Sequence, residues 1–155
     1  MAKILMTLIN LSIVFLLAAP VQSANLYVTS PSTGVAIHGF DPVAYFDKNA
    51  AVMGVEGIEA EWSNTYWKFE NVANKERFLD SPQIYVPQFN GYGAYSVAIG
   101  RLSEGNPHIW AIYNNRLLLF HSLEARKAWV ENPVKYQNLG EQKWKDLRAT
   151  LPRYE

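Results

Sequence analysis

The sequence predicts an α+β fold, a small antiparallel sheet with packed helices, built from a duplicated hairpin-helix unit. The first observation is that two stretches of β-hairpin character are each followed by a capped helical stretch. The second is that the two units match at a constant spacing of 51 residues, so that Phe69 aligns with Phe120 and Phe78 with Trp129. Two copies are too few for a solenoid, so we expect both to pack around one core.

The first hairpin-helix unit follows directly from local patterns. Ala60–Trp62 and Tyr66–Phe69 are strand-like and flank Ser63-Asn64, which suits a tight turn. Asn71 is a helix N-cap residue, and the apolar pattern after it predicts a helix over Val72–Leu79. A proline soon afterwards ends that helix.

The second unit repeats the first. Trp110–Tyr113 and Leu117–Phe120 flank Asn114-Asn115, two residues that tolerate positive φ. Ser122 is the matching N-cap residue and predicts a helix over Leu123–Val130.

Two further helices are predicted outside these units. Gly93 and Gly100 bracket a short helix from Ala94 to Ile99. The last helix has an apolar face formed by Trp144, Leu147 and Leu151.

Residues 1–23 have the layout of a secretory signal peptide. Lys3 precedes an apolar run from Ile4 to Ala19, and Val21-Gln22-Ser23 offers small residues before a cleavage point at Ala24. The run is shorter than the ~20 residues that span a bilayer, which disfavours the alternative of an uncleaved anchor. We therefore expect a periplasmic or secreted protein with one domain over residues 24–155 and no membrane attachment after cleavage.

Composition excludes several classes of function. Without Lys3 the mature chain has 13 basic against 14 acidic residues, so it lacks the positive charge that nucleic-acid binding requires. The chain has no cysteine, which removes thiolate catalysis, iron–sulfur clusters and cysteine-ligated zinc. No nucleophile elbow is present, so the sequence favours a non-enzymatic protein.

Three segments resemble one known family. They are His38-Gly39-Phe40-Asp41-Pro42-Val43-Ala44-Tyr45-Phe46, Gly91-Tyr92-Gly93-Ala94-Tyr95 and Phe120-His121-Ser122. Together they resemble the bacterial secreted YHS-domain proteins over about Val35 to Leu151, with Phe120 in place of the tyrosine that gives the family its name. The resemblance implies a link to metal ions, copper above all. Many members carry cysteine where this chain has Gly93, so a metal site here must be built differently or has been lost.

Metal-binding candidates without cysteine are the histidines and one carboxylate. Neutral imidazoles bind Zn²⁺ and Cu²⁺ well, but no two histidines of this chain have chelating sequence spacing. We predict His121 as the best ligand, assisted by His38 and Asp41, and a solvated position for His108. Asp41 precedes a proline, so its alternative role is to fix a turn.

Two other functions remain open from the residues. Tyr45, Tyr92, Gly93 and Tyr95 are predicted to line a pocket that could accept a small ligand. If the metal site is degenerate, the chain would instead be a protein-interaction module whose aromatic surface docks a partner. The glycines around Tyr92 follow a GxGxxS pattern without a surrounding βαβ unit, which does not support nucleotide binding.

Overall fold

The predicted α+β class is confirmed. The computed structural model describes residues 27–151, so the predicted signal peptide lies outside the described part of the chain. The strands are β1 (Glu59–Trp62), β2 (Thr65–Lys68), β3 (Asn106–Tyr113) and β4 (Arg116–Phe120). The helices are α1 (Ala44–Asp47), α2 (Val72–Asp80), α3 (Pro82–Tyr85), α4 (Ala94–Ala98), α5 (Leu123–Glu131) and α6 (Pro133–Ala149). No helix among these residues is both long and apolar enough to cross a membrane.

The β-structure is divided into two separate antiparallel hairpins rather than one small sheet. In the first, Trp62 pairs with Thr65 across Ser63-Asn64, and in the second Tyr113 pairs with Arg116 across Asn114-Asn115. All four turn residues have φ between 50° and 56°. This left-handed geometry matches the strand twist in two-residue hairpins.

Both predicted N-caps are present. The Asn71 side chain accepts a hydrogen bond from the Asn74 amide at 2.8 Å, and Ser122 accepts one from the Ala125 amide at 3.2 Å. The last helix ends earlier than predicted, because α6 stops at Ala149 and Leu151 lies beyond it. There the Thr150 hydroxyl donates to the Leu147 carbonyl at 2.7 Å, a local bond that competes with continuing the helix.

The duplicated unit is larger than the sequence pattern indicates. Before α1, Ile37, His38 and Gly39 have φ of 41°, 55° and 86°; before α4, Phe89, Asn90 and Gly91 have φ of 55°, 55° and 89°. The amide of Gly54 donates to the Gly39 carbonyl, and the amide of Gly105 donates to the Gly91 carbonyl, both at 2.9 Å. The two repeats therefore share a left-handed loop, a helix, a hairpin and a capped helix.

One buried residue joins the two left-handed loops. Val28, 4% exposed, donates its amide to the Asn90 carbonyl at 2.8 Å and accepts from the Ile37 amide at 2.9 Å. Backbone in this region costs about 1–3 kcal/mol for a non-glycine residue and persists only where the surroundings fix it. Val28 supplies part of that restraint.

The core consists of two clusters that meet at β4. Leu117 and Leu119 pack into a cluster around Trp67, Phe69 and Phe78, whereas Leu118 and Phe120 pack into one around Phe89, Val97 and Trp129. Because successive residues of a strand point to opposite faces, each face of β4 is buried in one of the two clusters. The end of β4 is therefore held firmly, and it leads directly to His121.

Candidate functional site

Two of the predicted histidine ligands line the same cleft. This cleft, called here the histidine cleft, has a volume of about 340 Å³ and is lined by His38, Glu104, Gly105, Asn106, Pro107 and His121. His38 comes from the loop of the first repeat, and the other five residues come from the second. The cleft thus lies where the two repeats meet.

The backbone conformation of His38 directs its side chain to the cleft. His38 is left-handed at φ 55° and ψ 25°, between buried Ile37 and Gly39. Its Nε2 atom lies 4.0 Å from the Oε2 atom of Glu104, and the histidine side chain remains 33% exposed. A β-branched residue such as Ile37 rarely adopts positive φ, and such strain concentrates at functional sites.

The imidazole of His121 is held in one tautomer. Its Nδ1 atom lies 3.0 Å from the backbone carbonyl oxygen of Glu104. A carbonyl can only accept, so Nδ1 carries the proton and donates it to this bond. The lone pair of a neutral His121 is then on Nε2, the arrangement found when a histidine binds metal through Nε2.

Gly93, which was predicted to line a pocket, lies against the backbone of His121. A Cβ atom at this position would be 3.0 Å from the His121 amide nitrogen and 3.5 Å from its Cβ. A larger side chain would have to displace the segment that carries the imidazole. Even alanine would be tight here, and the neighbouring backbone would have to move by a few tenths of an ångström to accept it.

Asp41 is buried and separate from the histidine cleft. It is 0% exposed. One oxygen accepts from the amides of Val43 and Ala44 at 2.8 and 3.4 Å. The other accepts from the Glu70 amide at 2.8 Å and from Asn74 Nδ2 at 2.7 Å. These four donors leave the carboxylate fixed as a structural acceptor.

The structure does not bring His121, His38 and Asp41 together as one ligand set. Among residues 27–151, no group of three or more His, Asp or Glu side chains is close enough to hold a metal ion as it stands. The carboxylate that accompanies the histidines is instead that of Glu104, whose side chain is 60% exposed. Two ligand atoms at 2.0–2.2 Å from a tetrahedral ion are about 3.3 Å apart. The 4.0 Å between His38 and Glu104 therefore requires only a small movement of an exposed side chain.

The three predicted pocket tyrosines do not meet in one pocket. Tyr45 belongs to the first core cluster, where its hydroxyl donates to the Pro107 carbonyl at 3.0 Å and its ring meets Trp110 at 5.2 Å. The other two flank the second cluster: Tyr92 lies 6.0 Å from Trp144, and Tyr95 lies 5.1 Å from Tyr136, between ring centroids. Tyr45 bears on the cleft because it supports Pro107 from the core side, and Tyr92 bears on it through its backbone bridge to Glu104.

Burial raises the pKa of two of these tyrosines. For Tyr45, burial has the larger effect and the negative charge of Asp41 adds to it. For Tyr92, burial again comes first and the charge of Glu104 contributes. Both phenols are therefore neutral hydrogen-bonding groups around neutral pH, rather than bases.

His108 lies outside the histidine cleft. It is exposed on β3, and its ring packs edge-on against Phe40 with 4.8 Å between centroids. The predicted solvent exposure is confirmed, although the residue is in a strand rather than a loop.

Glu104 is the cleft residue that the sequence analysis missed. It forms an isolated bridge with Tyr92, just as Met53 does with Phe40 in the first repeat. Only the extended repeat would have marked this position, since Glu104 has no distinctive neighbours in sequence. Comparison of the chain with models of protein families, curated proteins and solved structures found no significant match.

Proposed function

We propose that this protein is a non-enzymatic module that binds a divalent transition metal ion, Cu²⁺ above Zn²⁺, in the histidine cleft. His38, His121 and Glu104 would be the ligands. The observation that carries the proposal is that two imidazoles, one from each repeat, line one cleft, and that His121 has its Nε2 available.

The chemistry of these groups favours borderline metal ions. Neutral imidazole suits Cu²⁺ and Zn²⁺, and a carboxylate adds the negative charge that offsets the ion. A given set of nitrogen and oxygen ligands generally binds Cu²⁺ more tightly than Zn²⁺. Exposure of His38 and Glu104 would keep the ion exchangeable with solvent, which suits carriage or buffering.

The resemblance to YHS-domain proteins supports the same class of ligand, and the signal-like residues 1–23 support a place of action in the periplasm or outside the cell. A cysteine-free site would also escape thiol oxidation in such an environment.

Calorimetric titration of residues 24–155 with Cu²⁺ and Zn²⁺ tests the proposal. We expect one ion per chain, and we expect His38→Ala and His121→Ala each to weaken Cu²⁺ binding at least tenfold, with a smaller loss for Glu104→Gln. His108→Ala is the matched control, because this histidine is exposed but lies outside the cleft. Equal losses in all three histidine variants, or no binding by the unmodified chain, would reject the assignment.

Binding should also depend on pH. A protonated imidazole cannot act as a ligand, so affinity is expected to fall as the pH is lowered from about 7.5 to about 5. Repeating the calorimetric titration at both pH values measures this change in affinity.

A further inference from the structure

We propose that this protein has a second ligand site, which binds a small monocarboxylate with an aromatic or similarly flat apolar body. The site, called here the Arg116 pocket, lies between the start of β4, residues 86–90 and α6. Arg116 begins β4 and His121 follows its end, so the two sites are about 17 Å apart along the strand. They share no lining residue, and the proposal does not depend on metal binding.

The Arg116 pocket has the size and the walls of a small-molecule site. Its volume is about 260 Å³, just below the roughly 300–1,000 Å³ of pockets that hold drug-sized ligands, which suits a smaller molecule. The rings of Tyr27, Phe89 and Trp144 supply its apolar wall. Phe89 is only 4% exposed and meets Trp144 edge-on with 5.7 Å between centroids, so this wall is held by the core.

Arg116 brings a positive charge to this pocket without a counter-ion. No carboxylate of residues 27–151 forms an ion pair with it. Its Nε atom is buried, and no described group accepts a hydrogen bond from that atom. A buried charged donor without an acceptor is costly, and native proteins generally satisfy such an atom with water or a ligand. A carboxylate can accept from Nε and from a terminal guanidinium nitrogen at once.

The Tyr27 end of the pocket is positive. Burial raises the pKa of Tyr27, and the charges of Arg148 and Arg116 partly offset that rise, so both cations act at this end. Arg148 lies two turns after Glu141 on α6, or about 10 Å along the helix axis. Lys145 adds a third positive charge on the same side of the helix. The carboxylate of a ligand is therefore drawn to the Tyr27 end.

Glu141 limits which anions fit. Its side chain lines the pocket at the exposed edge of α6, where its Oε1 atom accepts from Nε2 of Gln137 at 2.7 Å. Gln137 is only 9% exposed, and its Nε2 atom also donates to Gln88 at 3.1 Å, which holds the glutamate in place. A second negative charge on the ligand would meet this carboxylate. The pocket therefore favours a monocarboxylate over a dicarboxylate.

Calorimetric titration of the purified chain with 3-phenylpropanoate tests the site. Ethylenediaminetetraacetate in the buffer keeps the result independent of metal binding in the histidine cleft. We expect saturable binding of one molecule per chain, and binding at least about tenfold weaker for 2-phenylethylamine, which has the same ring but a positive charge. This comparison uses the unmodified chain, so it does not depend on any variant folding.

Variants locate the binding. Arg116→Gln should weaken it at least about tenfold, because the paired charged hydrogen bonds are lost, and Arg116→Lys should lose less. Arg148→Gln, an exposed change, should weaken it about twofold, and Glu141→Gln should leave it unchanged or tighter. Arg126→Gln is the matched control, since it removes the same charge from an exposed position on α5 outside the pocket.

Three results would overturn the proposal. The first is no saturable binding of 3-phenylpropanoate. The second is equally tight binding of 2-phenylethylamine, which would show that the guanidinium does not select the ligand. The third is a loss of affinity in Arg116→Gln no larger than that in Arg126→Gln.

Discussion

Asp41 connects three parts of the first repeat through one buried carboxylate. It binds the start of α1, the amide of Glu70 after β2 and the side chain of Asn74 on α2. From the sequence, Asp41 was predicted either to assist in metal binding or to fix the turn before Pro42. Its partners at positions 70 and 74 are distant along the chain, so only the folded structure shows how much depends on it.

Replacing this carboxylate should be costly. Asp41→Asn places an NH₂ group against amide donors and leaves some of them buried without an acceptor. We expect it to lower the free energy of unfolding by about 2–4 kcal/mol, measured by denaturant titration. Asp146→Asn, an exposed change on α6, should stay within about 0.5 kcal/mol. Similar small effects for both would show that the Asp41 contacts contribute little.

Tyr45 gives the fold a defined response to alkaline pH. Its pKa is raised in the folded protein, so above about pH 10 an unfolded tyrosine loses its proton while folded Tyr45 keeps it. The unfolded state then binds fewer protons, and stability falls as pH rises.

Tyr45→Phe should reduce that fall by up to about 1.4 kcal/mol per pH unit, because one titrating group is removed. Denaturant titrations between pH 8 and pH 11 (about the range over which free tyrosine ionises) measure it. Tyr66→Phe is the control, since Tyr66 is 53% exposed. An unchanged slope in Tyr45→Phe would contradict the explanation.

At the scale of elements, the hairpins and capped helices were predictable because their signals are local. Two turn residues with positive φ and one capping side chain specify each unit. The short helices α1 and α3 and the left-handed loops were not predicted, because long-range packing and hydrogen bonds hold them. Ile37 illustrates this, since isoleucine itself disfavours the φ of 41° that it adopts.

The two caps should contribute comparably to stability. Asn71→Ala and Ser122→Ala each remove the acceptor for a first-turn amide, so each should cost about 1 kcal/mol in unfolding experiments. Asn71→Asp and Ser122→Thr retain a capping oxygen and should lose less than half of that. If the alanine and the capping variants are equally stable, the caps are not stabilising these helices.

At the scale of the whole molecule, the repeat predicts matching sensitivities. A Cβ atom at Gly54 would lie 2.5 Å from the Cβ of Lys68, and one at Gly105 would lie 2.5 Å from the Cβ of Leu119, the equivalent residue. Gly54→Ala and Gly105→Ala should each destabilise the protein by at least about 2 kcal/mol.

Gly93→Ala should be milder, because its nearest contact would be 3.0 Å. Thermal unfolding of Gly54→Ala, Gly105→Ala and Gly93→Ala measures how strongly each change destabilises the protein. Tolerance of alanine at only one of positions 54 and 105 would show that the two repeats are not packed equivalently.

The histidine cleft is the part of the site that sequence reasoning could only partly reach. His38 and His121 could be named as candidate ligands because imidazole is a common metal ligand. That both line one cleft depends on how the two repeats pack, which the sequence does not show. The carboxylate near the histidines is that of Glu104 and not that of the predicted Asp41, which is fully hydrogen-bonded in the core. Only the tertiary structure shows which of the two carboxylates lies at the cleft.

Electron paramagnetic resonance of the chain loaded with one equivalent of Cu²⁺ tests the central claim most directly, because hyperfine coupling counts the nitrogen ligands. The proposed site would give two imidazole nitrogens in the unmodified chain, one in His38→Ala and one in His121→Ala, and two in His108→Ala. A spectrum without imidazole coupling, or one that loses a nitrogen in His108→Ala but not in His121→Ala, would contradict a metal site in the histidine cleft.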